Sequence, residues 1–181
     1  MPTRASTARR VPSDAGNEAA GRVTRTRLAT GIVVGVVAVD LATKIWAVSE
    51  LSDGPIHLIG RTVNFQLARN TGGAFSLFQA FTPLLAVIAG CVAYVLVRTV
   101  RRTTDTLLVV ALSLVLGGAI GNLIDRVFRS PGFLRGAVID FVDIGRWPTF
   151  NVADSAITIG AVLILLDILL GRKQETPEQV S

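Results

Sequence analysis

Cysteine, histidine and lysine are almost missing from this chain of 181 residues, and each scarcity removes a class of chemistry. One cysteine, Cys91, excludes an internal disulfide and a cysteine metal cluster. It falls within an apolar run with no base beside it and reads as packing. One histidine, His57, lies in a strand-like stretch and reads as a surface residue. Ser–His–Asp catalysis would need it, and nothing else supports that chemistry. No metal site and no cofactor is expected, because no histidine or cysteine cluster suggests zinc. Charge is scarce as well: 17% of residues are charged, against about 25% in soluble domains. Half of the residues are apolar and the mean hydropathy is +0.55. That excludes a disordered chain and argues against a water-soluble globule. The net charge of +5 sits in basic residues beside apolar runs. It therefore points to a membrane and not to nucleic acid.

Residues 1–27 are polar and basic without apolar periodicity and read as a flexible tail. Four apolar runs follow, at 28–48, 81–97, 106–124 and 152–170. A bilayer core of roughly 30 Å takes about 20 helical residues, so each run spans it or nearly so. Residues 74–80 would lengthen the second run, and Pro83 suits a first helical turn. Within the connection 49–80, residues 56–58 and 63–67 alternate apolar with other side chains, as short strands do. Asn70-Thr-Gly-Gly then marks a turn. The expected fold is an all-α membrane protein. Four transmembrane helices occupy 28–170, with a small β-sheet on the membrane surface between helices 1 and 2, and residues 171–181 form a second tail.

With four spans, both termini lie on one side. That side carries Arg4, Arg9, Arg10, Arg22, Arg25, Arg27, Arg98, Arg101, Arg102, Arg172 and Lys173, and the other carries Arg61, Arg69, Arg126, Arg129, Arg135 and Arg146. The excess of basic residues makes the terminal side cytoplasmic. The connections 49–80 and 125–151 then face outward.

Depth organises the polar residues. Counted from residue 28, Asp40 and Lys44 stand about 18 and 24 Å along the first span. Counted from residue 106, Asn122 and Asp125 stand about 24 and 28 Å along the third. Asp154 opens the fourth span, and Asp140 and Asp143 lie just before it. One outer layer therefore gathers Asp40, Lys44, Asn122, Asp125, Arg126, Asp140, Asn151 and Asp154; Asp167 alone lies near the cytoplasmic end. Ionisable groups in a span are costly unless paired or functional. Asp40 and Lys44 are spaced i, i+4 and can pair. Asn122 with Asp125, and Asn151 with Asp154, are each spaced i, i+3 and could simply cap or join helices. Taken together, the layer reads as a site. Its chemistry is that of carboxylates: two close aspartates share a proton, so one can activate water while the other serves the carbonyl. Residue type alone leaves Asp125, Asp140, Asp143 and Asp154 as candidates.

Five segments in order then resemble the lipoprotein signal peptidase (signal peptidase II) family. They are Asp40-Leu-Ala-Thr-Lys44, Asn70-Thr-Gly-Gly-Ala-Phe75, Gly121-Asn-Leu-Ile-Asp-Arg126, Val138-Ile-Asp-Phe141 and Phe150-Asn-Val-Ala-Asp154. The resemblance covers about residues 28–170. It implies an intramembrane aspartic endopeptidase of the bacterial cytoplasmic membrane; the small size of the bundle suits a monomer. Its substrates would be diacylglyceryl-modified prolipoproteins, cut just before the lipidated cysteine. It implies that Asp140 and Asp154 are the catalytic pair. Asn70, Asn122, Arg126 and Asn151 match positions that line the site, and Asp40, Lys44 and Asp125 match supporting ones. Two departures stand out. The run from Arg126 to Asp140 is longer than in many members and reads as an extra loop, and Asp143 rivals Asp140. Two other readings compete with the peptidase. A small proton-coupled transporter predicts polar residues through the depth of the bundle. A scaffold needs polarity only for helix association.

Overall fold

Apolar segments in lipid can satisfy their backbone polar groups as helices, and each of the four runs is helical. The computed structural model describes residues 14–60, 62–72 and 82–170. The helices are α1 (Asp14–Glu50), α2 (Thr82–Val100), α3 (Thr106–Phe128) and α4 (Val152–Leu169). All four are long and apolar enough to cross a bilayer. Their exposed faces carry Val34, Ile45, Leu84, Val87, Val92, Ile159 and Leu165. An apolar surface this broad belongs in lipid. Cys91 is exposed on the same surface, so it does not serve the internal packing expected of it.

Helix α3 is the most buried of the four and packs against α1, α2 and α4. Small residues make this possible, because van der Waals fit replaces the hydrophobic effect between helices in lipid. A Cβ placed on Gly118 would stand 2.3 Å from the carbonyl oxygen of Ala153, and one on Gly160 would stand 2.6 Å from that of Ala111. Backbone atoms cannot swing aside as a side chain can. Gly118→Leu is therefore expected to push α4 away from α3 beside Asp154. The expected cost is about 1–3 kcal/mol from overpacking, read as a lower thermal unfolding temperature in detergent, together with loss of activity.

One expectation about boundaries needs correction. Helix α1 begins at Asp14 and not at residue 28, so residues 14–27 are helical and not a flexible tail. Once the membrane run has nucleated the helix, each added residue gains a backbone bond. The segment also holds good helix formers, with Glu18 and Arg22 at i, i+4. At 37 residues α1 is about 55 Å long and must project beyond the bilayer core. The rest of the expected tail (1–13), the second tail (171–181), Arg61 and the proposed extension at 74–80 lie outside the described residues.

The expected small sheet forms and gains a strand. Strands β1 (Ile56–Ile59) and β2 (Val63–Asn70) form where alternation predicts them. A third strand, β3 (Val138–Ile144), comes from the connection between α3 and α4 and pairs antiparallel with β2. The sheet therefore ties the two long connections together. It sits on the end of α1, where Ala47 and Leu51 meet Ile139 and Phe141. Trp46, Phe65 and Phe141 pack there with ring centroids 5.4–6.2 Å apart. Such aromatic contacts hold a small sheet that could not stand alone. The long run after Arg126 closes on itself. Gly136 N–H donates to Arg126 O at 2.9 Å, and Ala137 N–H to Ser130 O at 3.1 Å. The extra residues form a loop, and β3 starts directly over the end of α3.

Candidate active site

The geometry begins with how the chain enters α4. After β3 it turns through residues 145–149 and returns beside itself. Val142 N–H donates to Phe150 O at 2.9 Å, and Phe150 N–H donates to Val142 O at 3.0 Å. This places Asn151 next to β3 at the mouth of α4. Asn151 is the N-cap: its Oδ1 accepts from Asp154 N–H at 2.9 Å, and Asp154 Oδ2 accepts from Asn151 N–H at 3.2 Å. This is a capping box, which satisfies donors that the helix cannot reach itself. With Oδ1 engaged in the cap, the Asn151 amide nitrogen turns back to β3 and donates to Asp140 Oδ1 at 2.6 Å.

Asp140 and Asp154 are held in matching ways. Asp140 Oδ2 accepts from Asn70 Nδ2 at 3.1 Å. Asp154 Oδ1 accepts from Asn122 Nδ2 at 2.8 Å. Each carboxylate thus has both oxygens on N–H donors, and two asparagines link the pair. Asn122 Oδ1 accepts from Asn151 Nδ2 at 3.2 Å and from Lys44 Nζ at 3.0 Å. Those two donors fix which way the Asn122 amide faces.

Beneath the pair lies a buried ion cluster. Lys44 and Asp40 are both at 0% exposure, and Lys44 Nζ stands 2.8 Å from Asp40 Oδ2 and 2.8 Å from Asp125 Oδ2. Arg129 pairs with Asp125 Oδ1, which balances two cations against two carboxylates. The carboxylates also fasten backbone. Asp40 Oδ1 accepts from Ala153 N–H at 2.9 Å, and Asp125 Oδ2 from Ile139 N–H at 3.3 Å. Helices α1, α3 and α4 and strand β3 are therefore joined directly under the two aspartates.

Asp140 is buried, and its acidity responds. Burial pushes its carboxyl up to about 6, and repulsion from Asp154 adds to this; hydrogen bonds from Asn70 and Asn151 and the charge of Lys44 oppose it. Asp140 opens onto a groove of about 570 Å³ with Asn70, Gly72, Leu85 and Arg126 in its wall. One guanidinium nitrogen of Arg126, Nη1, is buried and has no hydrogen-bond partner among the described residues. Asp154 opens onto a different, largely apolar groove of about 730 Å³ beside Ile144, Trp147, Phe150 and Ile159. The pair thus stands where a polar opening and an apolar one meet.

A family model for signal peptidase II matches residues 32–170. The chain belongs to the signal peptidase II family. It is 48% identical to a lipoprotein signal peptidase of Rhodococcus jostii over 147 residues, covering 80% of this chain and 74% of that protein. It is 42% identical to the lipoprotein signal peptidase of Mycobacterium avium over 153 residues, 84% of each chain. A bacterial membrane enzyme structure determined by the in meso method at 2.3 Å superposes with a TM-score of 0.67 and 29% identity, covering 85% of this chain and 94% of that one. A second, at 1.9 Å, gives a TM-score of 0.65 and 31% identity, covering 82% and 94%.

In this family member, the residues expected in one outer layer do meet. Asp40, Lys44, Asn122, Asp125, Asn151, Asp140 and Asp154 form one connected network, and Asn70 reaches it through Asp140. Arg126 joins by lining the same groove as Asp140. The rival Asp143 does not. It lies three residues along the strand from Asp140, an odd separation that turns it to the other face. Its Oδ2 accepts from Asn64 Nδ2 at 3.1 Å. His57 is exposed, with Nδ1 2.6 Å from Asn64 Oδ1. Sequence reasoning missed Arg129, the counter-charge of Asp125, although the i, i+4 spacing marks it. Gly121 lies in a matching segment but has no role in that reading; its added Cβ would stand 2.6 Å from Asp40 Oδ2. The Gly117-x-x-x-Gly121 spacing was the available signal.

Proposed function

We propose that Asp140 and Asp154 are the catalytic pair of an aspartic endopeptidase that removes signal peptides from prolipoproteins in a bacterial membrane. The observation that carries this reading is the hydrogen-bond symmetry at the pair. Each carboxylate is held on both oxygens, the two are bridged by Asn122 and Asn151, and both border open grooves. Asp140, whose carboxyl is pushed by burial up to about 6, is the member that carries the proton in the reactive form. Asp154, in the first turn of α4, takes a proton from water. The hydroxide adds to the scissile carbonyl while Asp140 protonates the carbonyl oxygen. Collapse of the tetrahedral intermediate returns a proton to Asp140, and Asp154 passes its own to the leaving amine. One water is consumed, a carboxylic acid and an amine result, and both aspartates return to their starting protonation. Arg126, with its free guanidinium nitrogen, holds a substrate carbonyl in the polar groove. The substrate is a precursor with a diacylglyceryl group on the cysteine after the cut bond. Its acyl chains lie against the apolar groove beside Asp154 and in the surrounding lipid.

Both termini are cytoplasmic and the pair lies near the outer face, as the distribution of arginines favours. Phe128, Phe133 and Trp147, all highly exposed near the pair's end of the bundle, suit an interfacial aromatic belt at that level. A transporter is disfavoured by what lies deeper. Among the described residues the polar network ends at the ion cluster, the Ser113 hydroxyl bonds within its own helix, and Asp167 stands apart.

The test is incubation of the purified chain with a diacylated precursor and with its unlipidated twin. Only the lipidated form is expected to lose the mass of the signal peptide; equal cleavage of both forms would remove the lipid from the account. A pH profile follows from the Asp140 carboxyl. kcat/KM is expected to fall as pH rises through about 6, where Asp140 loses its proton. The Asn70 hydrogen bond favours the ionised form, so Asn70→Leu should move this limb to higher pH. A limb that stays in place or moves down contradicts the assignment of the proton to Asp140.

A further inference from the structure

A further cavity, also of about 730 Å³, lies at the other end of the bundle, between the N-terminal half of α1 and the turn joining α2 to α3. Four arginines stand around it: Arg22 and Arg25 from α1, Arg101 and Arg102 from the turn. Arg22 and Arg25 are spaced i, i+3 and share a helix face. Among the described residues none of the four has an ion-pair partner: the cations of the salt bridges there are Lys44 and Arg129. Glu18 is the one acid in the cavity wall. Asp105, the acid of the turn, is committed to capping α3, where it accepts from Leu108 N–H at 2.8 Å. Deeper in, the wall turns apolar through Val34, Val97 and Leu116. Arg25 lies about 4–5 Å before Leu28, where the apolar run of α1 starts. The arginines therefore stand at the level of lipid headgroups.

We propose that this groove binds one anionic phospholipid, with its phosphate among the four guanidiniums and an acyl chain along the apolar wall. Guanidinium forks match phosphate oxygens in charge and geometry. Basic pockets between transmembrane helices on the cytoplasmic side are suited to anionic headgroups. The apolar wall running on from the arginines is what a lipid uses and a soluble phosphate does not. The site is at the far end from Asp140 and Asp154, and its occupancy is read without any cleavage assay.

The test is native mass spectrometry of the full chain equilibrated with equal amounts of dioleoyl-phosphatidylglycerol and dioleoyl-phosphatidylcholine. One phosphatidylglycerol is expected to be retained, favoured by about tenfold or more. A variant with Arg22, Arg25, Arg101 and Arg102 all changed to glutamine should lose that occupancy by at least about tenfold, and Arg135→Gln should not. Val34→Trp keeps all four arginines and places a large ring at an exposed position on the groove, so it should also expel the lipid. Glycerol phosphate at the same concentration should not displace it. Equal retention of the two lipids, unchanged retention in the arginine variant or in Val34→Trp, an equal loss in Arg135→Gln, or displacement by glycerol phosphate overturns the proposal.

Discussion

Asp140→Asn and Asp154→Asn are each expected to lower the rate of precursor cleavage by about 10⁴-fold or to background, with the protein still folded. The size follows from the roles. A positioned acid or base contributes about 10²–10⁴, and in the proposed mechanism each aspartate serves as both in turn. Asparagine has nearly the shape of aspartate, and its oxygen can keep one of the two N–H donors each carboxylate now holds. The helices and the ion cluster below should survive. The pair acts as a unit, so the double variant should be little worse than either single one. Asp143→Asn should keep most of the rate, because Asp143 bonds Asn64 on the other face of the strand. Single-turnover rates on a lipidated precursor, with helical content as the folding control, read all four variants.

Lys44→Met should be the most damaging change to stability. Lys44 is buried between Asp40 and Asp125 and donates to Asn122. Its loss leaves Asp40 a buried charge with no cation; Asp125 still has Arg129. Breaking a buried pair by removing one partner costs about 3–5 kcal/mol. The strain reaches the two aspartates, because Asp40 holds the Ala153 N–H and Asn122 holds Asp154. Adding Asp40→Asn should recover a large part of the loss, since an asparagine oxygen can still accept from Ala153 N–H without a charge to neutralise. Thermal unfolding in detergent for the two single variants and the double gives the coupling. If the double variant is as unstable as the sum of the singles, the ion cluster is not the source of the effect.

Much of this architecture is legible in the chain because lipid simplifies the rules. An apolar run of sufficient length has few alternatives to a spanning helix, and counting along each run places Asp40, Lys44, Asn122 and Asp154 at one depth. The i, i+4 spacing of Asp40 and Lys44 predicts the pair that forms. What escapes is tertiary. Residues 138–144 alternate weakly because the strand is buried over most of its length, so its pairing with β2 is not written in its own pattern. The choice between Asp140 and Asp143 depends on that pairing and on the return of Phe150. The start of α1 at Asp14 depends on a helix propagating out of the membrane, which a reading of periodicity does not register. Asn151 is recognisable as a cap, but its donation to Asp140 appears only once β3 lies beside α4.

The most direct measurement is the mass of both products from one diacylated precursor, made by the wild-type chain and by Asp140→Asn, Asp143→Asn and Asp154→Asn. The expectation is a single cut in the wild type and in Asp143→Asn, leaving a free amine on the lipidated cysteine, and no cut in the other two. Cleavage that persists in Asp140→Asn or Asp154→Asn, or that disappears only in Asp143→Asn, contradicts it.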